Sequence, residues 1–117
     1  MKYGMTADEW AQAKAEVRAI LIGVAQLETT ITYGELAAQM TTMSPHPGAY
    51  AFHALLRDVC YDEHQAGRGM LCAVVVSKAS SMPGQGFFKA LMKRGIDCQD
   101  QRACWQDAIA RLYAIWS

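Results

Sequence analysis

The sequence predicts a mostly helical α+β fold: a single domain over residues 1–117 with a small two-stranded sheet. The 117 residues are 52% hydrophobic and 19% charged, a composition typical of one compact domain. Two threonine–glutamate pairs stand at the spacing that opens helices. Two short segments rich in β-branched or apolar residues lie between helical patterns and predict the strands.

The first helix is marked by a capping box, in which Thr6 and Glu9 each satisfy a main-chain N–H of the opening turn. It is predicted from Ala7 to about Leu27. Its apolar stripe, expected to be buried, is Trp10, Val17, Ile20, Leu21, Val24 and Leu27.

The middle of the chain predicts a brief strand and two helices. The segment TTIT is β-branched, and Thr32 and Glu35 then repeat the capping box for a helix ending near Gln39. After the turn-rich TTMSPHPG, a third helix is predicted over residues 48–65, with the buried stripe Phe52, Leu55, Leu56 and Val59.

The last third predicts a strand, a turn and two helices. The run MLCAVVVS does not alternate, which favours a strand covered on both faces. Pro83 and Gly84 suit the centre of a type II turn, and Gly86 then leads into a helix over 87–94, held to the core by Phe87 and Phe88. The final helix, over 99–116, is expected to bury Trp105, Ile109, Leu112 and Trp116.

This order of elements is typical of a winged helix-turn-helix with extra helices, because two strands flank two consecutive helices. A generic α+β domain with a two-stranded sheet is the alternative. The formal net charge of +0 gives no general basic excess, so nucleic-acid binding would require local segregation of charge.

A polar stripe on the third helix is the candidate DNA-reading surface. Its members, opposite the apolar stripe, are Tyr50, His53, Arg57, Tyr61 and His64. An ordinary solvated face is the alternative, because Asp58, Asp62 and Glu63 on the same helix would repel phosphates. His46 and His53 lie near the helix N-terminus, where recognition helices usually contact bases. Cations that bracket the glycine loop could hold flanking phosphates: Lys78, Lys89, Lys93 and Arg94.

The stretches ITYGELAAQM and MLCAVVV resemble the winged-helix half of the alkylguanine-DNA alkyltransferases and alkyltransferase-like proteins. That resemblance covers about the middle third of the chain and implies a DNA partner. It places at Tyr33 the tyrosine that touches the DNA backbone. The family's reactive Pro-Cys-His-Arg is replaced here by Leu71-Cys72-Ala73-Val74, which lacks the histidine that helps to activate the thiol.

A second resemblance rests on ITYGELA, GRGMLCAVVV and MPGQGFF and spans most of the chain. These stretches are similar to a group of small bacterial proteins of unknown function, some of them carried on mobile gene cassettes. This second resemblance implies a shared fold but no known activity.

The sequence contains no recognisable motif for catalysis or for metal binding. The four cysteines form no C-x-x-C pair, and they are expected to be free thiols in a reducing cytosol. Apolar neighbours would keep the Cys72 thiol inert. Cys60 and His64 stand four residues apart, yet no third ligand is spaced to join them. We therefore expect no enzyme activity, no metal and no cofactor.

The function predicted first is a non-enzymatic module that binds duplex DNA weakly through Tyr33, Tyr50, His53, Arg57, Lys78 and Lys89. One alternative is a protein-interaction or self-associating module, a homodimer for example. Its motive is a surplus of aromatics and methionines, with three Trp, five Tyr, three Phe and seven Met. Five of the methionines are expected at ends and loops: Met1, Met5, Met40, Met43 and Met82.

The other alternative is a small-ligand binder. It would use a pocket between the second strand and the glycine loop, which we define as Pro83, Gly84, Gln85 and Gly86. The apolar runs are too short to span a bilayer, and the first residues have no secretory pattern. We therefore expect no membrane partner and a cytoplasmic protein.

Overall fold

The computed structural model describes residues 3–46 and 48–116. The elements of that part are α1 (Ala7–Gln26), β1 (Ile31–Thr32), α2 (Tyr33–Gln39), α3 (Tyr50–Gln65), a 3₁₀ turn (Leu71–Val74), β2 (Val75–Val76), α4 (Gln85–Lys93) and α5 (Gln101–Trp116). The predicted class is confirmed at this level: a mostly helical α+β fold with one two-stranded sheet.

Both capping boxes form as predicted. The Thr6 hydroxyl accepts a hydrogen bond from the Glu9 N–H at 3.1 Å, and the Thr6 N–H donates to the Glu9 carboxylate at 2.8 Å. Thr32 and Glu35 repeat this reciprocal pair at the start of α2. Each box satisfies orphan N–H groups of a first turn, so the two helix starts are fixed by local chemistry.

The sheet is parallel, with Ile31 beside Val75 and Thr32 beside Val76. Parallel strands require a crossover connection, which α2 and α3 provide here. Residues 40–49 join α2 to α3, a longer link than the three or four residues usual in a helix-turn-helix.

The run MLCAVVVS is mostly not a strand. Leu71–Val74 forms the 3₁₀ turn, and only Val75–Val76 is extended. Its burial was predicted correctly, since Leu71, Ala73 and the following valines are all buried. A short apolar run does not distinguish a buried strand from a buried helical turn, because both sides are covered in either case.

One core joins α1, α3, α5 and the 3₁₀ turn. The predicted stripe of α3 is buried throughout, and α1 buries Trp10, Val17 and Leu21 along its length. Leu27 was predicted in that stripe and is 78% exposed. It is the C-cap of α1, and the next residue, Glu28, takes a positive φ of 52° that turns the chain away.

The predicted type II turn at the glycine loop is wrong. Gly84 has φ −69° and ψ 171° and is the N-cap of α4, whereas the third residue of a type II turn needs a positive φ. The helix therefore begins at Gln85 and includes Gly86. Phe87 and Phe88 do hold α4 to the core, both buried and edge to face with ring centroids 5.3 Å apart.

The cysteines are paired, and the expectation of free thiols is wrong. A disulfide joins Cys60 on α3 to Cys72 on the 3₁₀ turn, and another joins Cys98 to Cys104 at the start of α5. Cys60 is therefore not available beside His64 as a metal ligand. Cys72 lies in the 3₁₀ turn rather than in a strand, and it is half-buried. A sulfur bonded in a disulfide is not a thiolate and cannot act as a nucleophile.

Within residues 3–46 and 48–116, none of the helices combines the length and the apolar character that crossing a membrane would need.

Candidate nucleic-acid interface

Four exposed side chains of α3 are aligned along its outward side. They are Tyr50, His53, Arg57 and Tyr61, which we call the α3 outer face. Tyr50 is 71% exposed and Tyr61 is 56% exposed. These residues are spaced three or four apart, so they lie on one side of the helix, opposite the buried stripe.

The three acidic residues of α3 are engaged by α1. Asp62 forms an ion pair with Lys14 at 2.6 Å, and an Asp58 oxygen accepts the indole N–H of Trp10 at 3.0 Å. The ion pair offsets the charge of Asp62 and so reduces the expected repulsion of phosphates there. The helix repeat places both carboxylates beside the α3 outer face rather than on it.

Glu63 is the third of these acids and is only 1% exposed. Its carboxylate accepts hydrogen bonds from Arg68, at 2.7 and 3.1 Å, and from Arg18 of α1. The Arg68 hydrogen bonds lower the pKa of Glu63; burial opposes this, and Arg18 adds to the lowering. The charge of Glu63 is thus neutralised inside the α1–α3 contact.

Tyr33 lies beside the first half of the α3 outer face. Its ring centroid is 5.4 Å from that of His53, and its hydroxyl oxygen accepts the Gly84 N–H at 3.0 Å. A Cβ on Gly84 would come within 3.2 Å of that oxygen, so glycine permits the close approach. The structure thereby brings together Tyr33, His53 and the glycine loop, which are distant in sequence.

The rest of the glycine loop is engaged within the fold. Pro83 is buried, and the exposed Gln85 exchanges amide hydrogen bonds with Gln101 of α5 at 2.9 and 3.3 Å. A cavity of about 330 Å³ lies elsewhere, beside α2, and is lined by Gly34, Ala37, Ala38, Met40, Ser44 and Pro45. None of the residues that line this cavity belongs to the glycine loop.

The predicted cations lie outside α3, on the loop after β2 and in or directly after α4. Lys78 is exposed on the loop after β2, close enough to Glu35 to contribute to the lowered pKa of that carboxyl group, although hydrogen bonds with Thr32 are the larger cause. Lys89 is exposed on α4. Arg94 donates to the Ala90 carbonyl at 3.0 Å.

The two other histidines differ in their surroundings. His64, predicted on the outer stripe, is half-buried, and burial lowers its pKa with a further contribution from the nearby Arg94 charge. His46 is exposed, and its Nδ1 accepts the Gly48 N–H at 3.0 Å. Neither extends the α3 outer face.

Sequence reasoning missed the aromatic neighbours of Tyr50. The Tyr3 ring lies 5.7 Å from the ring of Tyr50 and stacks on the buried Trp10 at 5.6 Å. Tyr3 is 48% exposed. No local pattern links a tyrosine before α1 to the first turn of α3, because only the packing of the two helices brings them together.

The methionines proposed as an exposed contact surface are mostly turned inward. Met40 is buried, and Met5, Met43 and Met82 are half-buried against the core. Met1 lies outside the described residues. This weakens the methionine part of the motive for a self-associating module, whereas Tyr3, Tyr50 and Tyr61 remain exposed.

Comparison with models of protein families, with curated proteins and with solved structures gives no match.

Proposed function

We propose that this chain is a non-enzymatic, helix-turn-helix-like module that binds DNA, with α3 as its recognition helix. The observation that carries the proposal is the composition of the α3 outer face. Its aromatic, imidazole and guanidinium groups suit phosphates and base edges, while the acids of the same helix are engaged by α1.

The neighbours of α3 supply further backbone contacts in this proposal. The Tyr33 hydroxyl accepts from Gly84, which leaves its own O–H for donation to a phosphate. Lys78 is exposed on the loop that follows β2 and takes the place of a wing, and Lys89 holds a more distant phosphate. With a formal charge of +0, binding is weak and strongly dependent on salt.

The test is fluorescence anisotropy with a labelled duplex, comparing Arg57→Gln with the unmodified protein over about 50 to 200 mM salt. Loss of one phosphate contact should weaken binding and reduce the slope of log K against log salt by about 0.9. Arg111→Gln is the matched control, because Arg111 is an exposed arginine of α5 paired with Asp107. Absence of binding at low salt to plain, mismatched and alkylated DNA would refute the proposal.

A further inference from the structure

We propose that the α3 outer face takes DNA through its unpaired bases, which stack on tyrosine rings; this inference rests on the proposed DNA-binding function. The face pairs large exposed aromatic area with little positive charge. Arg57 is its one permanently charged group, so phosphate contacts alone supply only a small part of the affinity.

Tyr50 is the principal stacking residue. It is the most exposed aromatic side chain of the α3 outer face, and Tyr3 lies against one side of it. Tyr3 in turn stacks on the Trp10 ring, and the Trp10 indole N–H donates a hydrogen bond to Asp58. A ring with a neighbour on one side loses less freedom when a base stacks on it than an isolated ring would.

The other members of the face continue the same surface along the helix. Tyr61 lies about three turns, or about 16 Å, beyond Tyr50 along α3, and His53 and Arg57 stand between them. This spacing gives two aromatic platforms with a cation between them for the backbone that joins the bases, an arrangement typical of single-strand recognition. The charge favours a polyanion over an apolar protein partner, since the face contains an arginine and a histidine and no acid, and the acids elsewhere on α3 are engaged by α1.

The experiment compares a labelled 16-nucleotide oligothymidylate with a blunt-ended duplex of the same length at one salt concentration. We expect the single strand to bind at least about tenfold more tightly, because each stacked base contributes about 5- to 150-fold. Tyr50→Ala should remove a factor in that range for the single strand, whereas Tyr50→Phe should retain the affinity because the ring remains.

Leu27→Ala is the control for loss of a large exposed side chain, since Leu27 lies at the end of α1. Circular dichroism of each variant establishes that the fold is retained. Equal affinity for single strand and duplex would overturn the inference and leave the proposed function standing. If Tyr50→Ala and Tyr50→Phe weakened single-strand binding equally, the inference would also be overturned, because the Tyr50 hydroxyl rather than its ring would then make the contact. Absence of binding to either DNA refutes both proposals.

Discussion

Glu16 holds the connection between α2 and α3 against α1. Its carboxylate accepts hydrogen bonds from the main-chain N–H and the hydroxyl of both Thr41 and Thr42, with N–H distances of 2.9 to 3.0 Å. Partial burial raises the pKa of Glu16, but the combined hydrogen bonds from the two threonines outweigh it and lower the pKa to about 2. One charged side chain thus positions the segment that leads into the proposed recognition helix.

The stabilisation by Glu16 should depend on pH. A carboxyl group with a folded pKa of about 2 and an ordinary value of 4.5 stabilises the fold fully above about pH 4.5, and this contribution is lost as the pH falls towards 2. We expect Glu16→Gln to lower the urea midpoint at pH 7 and to have a smaller effect near pH 2.5. A difference that stays constant across this range would contradict the assignment.

Tyr33 links α2 to the glycine loop through a single hydrogen bond. Tyr33→Phe removes the acceptor of the half-buried Gly84 N–H, and we expect it to lower the free energy of unfolding by about 1 kcal/mol. Urea unfolding measures this change. Tyr61→Phe, at an exposed position of α3, is the matched control and should leave stability nearly unchanged; equal effects of the two variants would argue against the link.

Between elements, the Cys60–Cys72 disulfide connects α3 with the 3₁₀ turn that precedes β2. The two residues are 12 apart in sequence, and a bridge that closes a loop of this length stabilises by roughly 3 kcal/mol through restriction of the unfolded chain. The Cys98–Cys104 bridge closes a loop of 6 and should contribute slightly less.

We therefore expect the double variant Cys60→Ser, Cys72→Ser to lose roughly 3 kcal/mol of unfolding free energy in urea. The matched control is Cys98→Ser with Cys104→Ser, with a loss of about 2 kcal/mol. Thiol titration of the unreduced, denatured protein should find no free cysteine. Four titratable thiols in that sample would show that neither bridge forms in solution.

The elements differ in how far sequence predicted them, and the difference has a physical cause. The starts of α1 and α2 depend on side chains three residues from the N–H groups they satisfy, so the pattern sufficed. The 3₁₀ turn and the conformation of Gly84 depend on distant partners, among them Tyr33. Disulfide pairing likewise has no local signal, because spacing alone does not determine connectivity.

At the scale of the whole molecule, α1 and α5 share one core through the 3₁₀ turn, on which both pack. Polar contacts add to this: the Trp105 indole donates to the Ala73 carbonyl at 2.7 Å, and the Tyr113 hydroxyl donates to the Thr29 carbonyl at 2.9 Å. The helices therefore depend on one another for burial.

This shared core predicts a single cooperative unfolding transition. Tryptophan fluorescence reports on Trp10 in α1 and on Trp105 and Trp116 in α5, whereas far-ultraviolet circular dichroism reports on all helices. The two signals should give the same urea midpoint. A lower urea midpoint by one signal than by the other would contradict this, because it would show that α4 or α5 unfolds independently of the other helices.

The sequence by itself determined the helical α+β class, both capping boxes, the buried stripe of α3 and the alignment of Tyr50, His53, Arg57 and Tyr61 on one helix face. These follow from spacing within a few residues, which the helix repeat converts directly into direction. Only the tertiary structure decided that the acids of α3 are engaged by α1, that Tyr3 lies beside Tyr50, and that Tyr33 reaches Gly84. Those contacts join segments far apart in the chain, and their formation depends on how the helices pack around the common core.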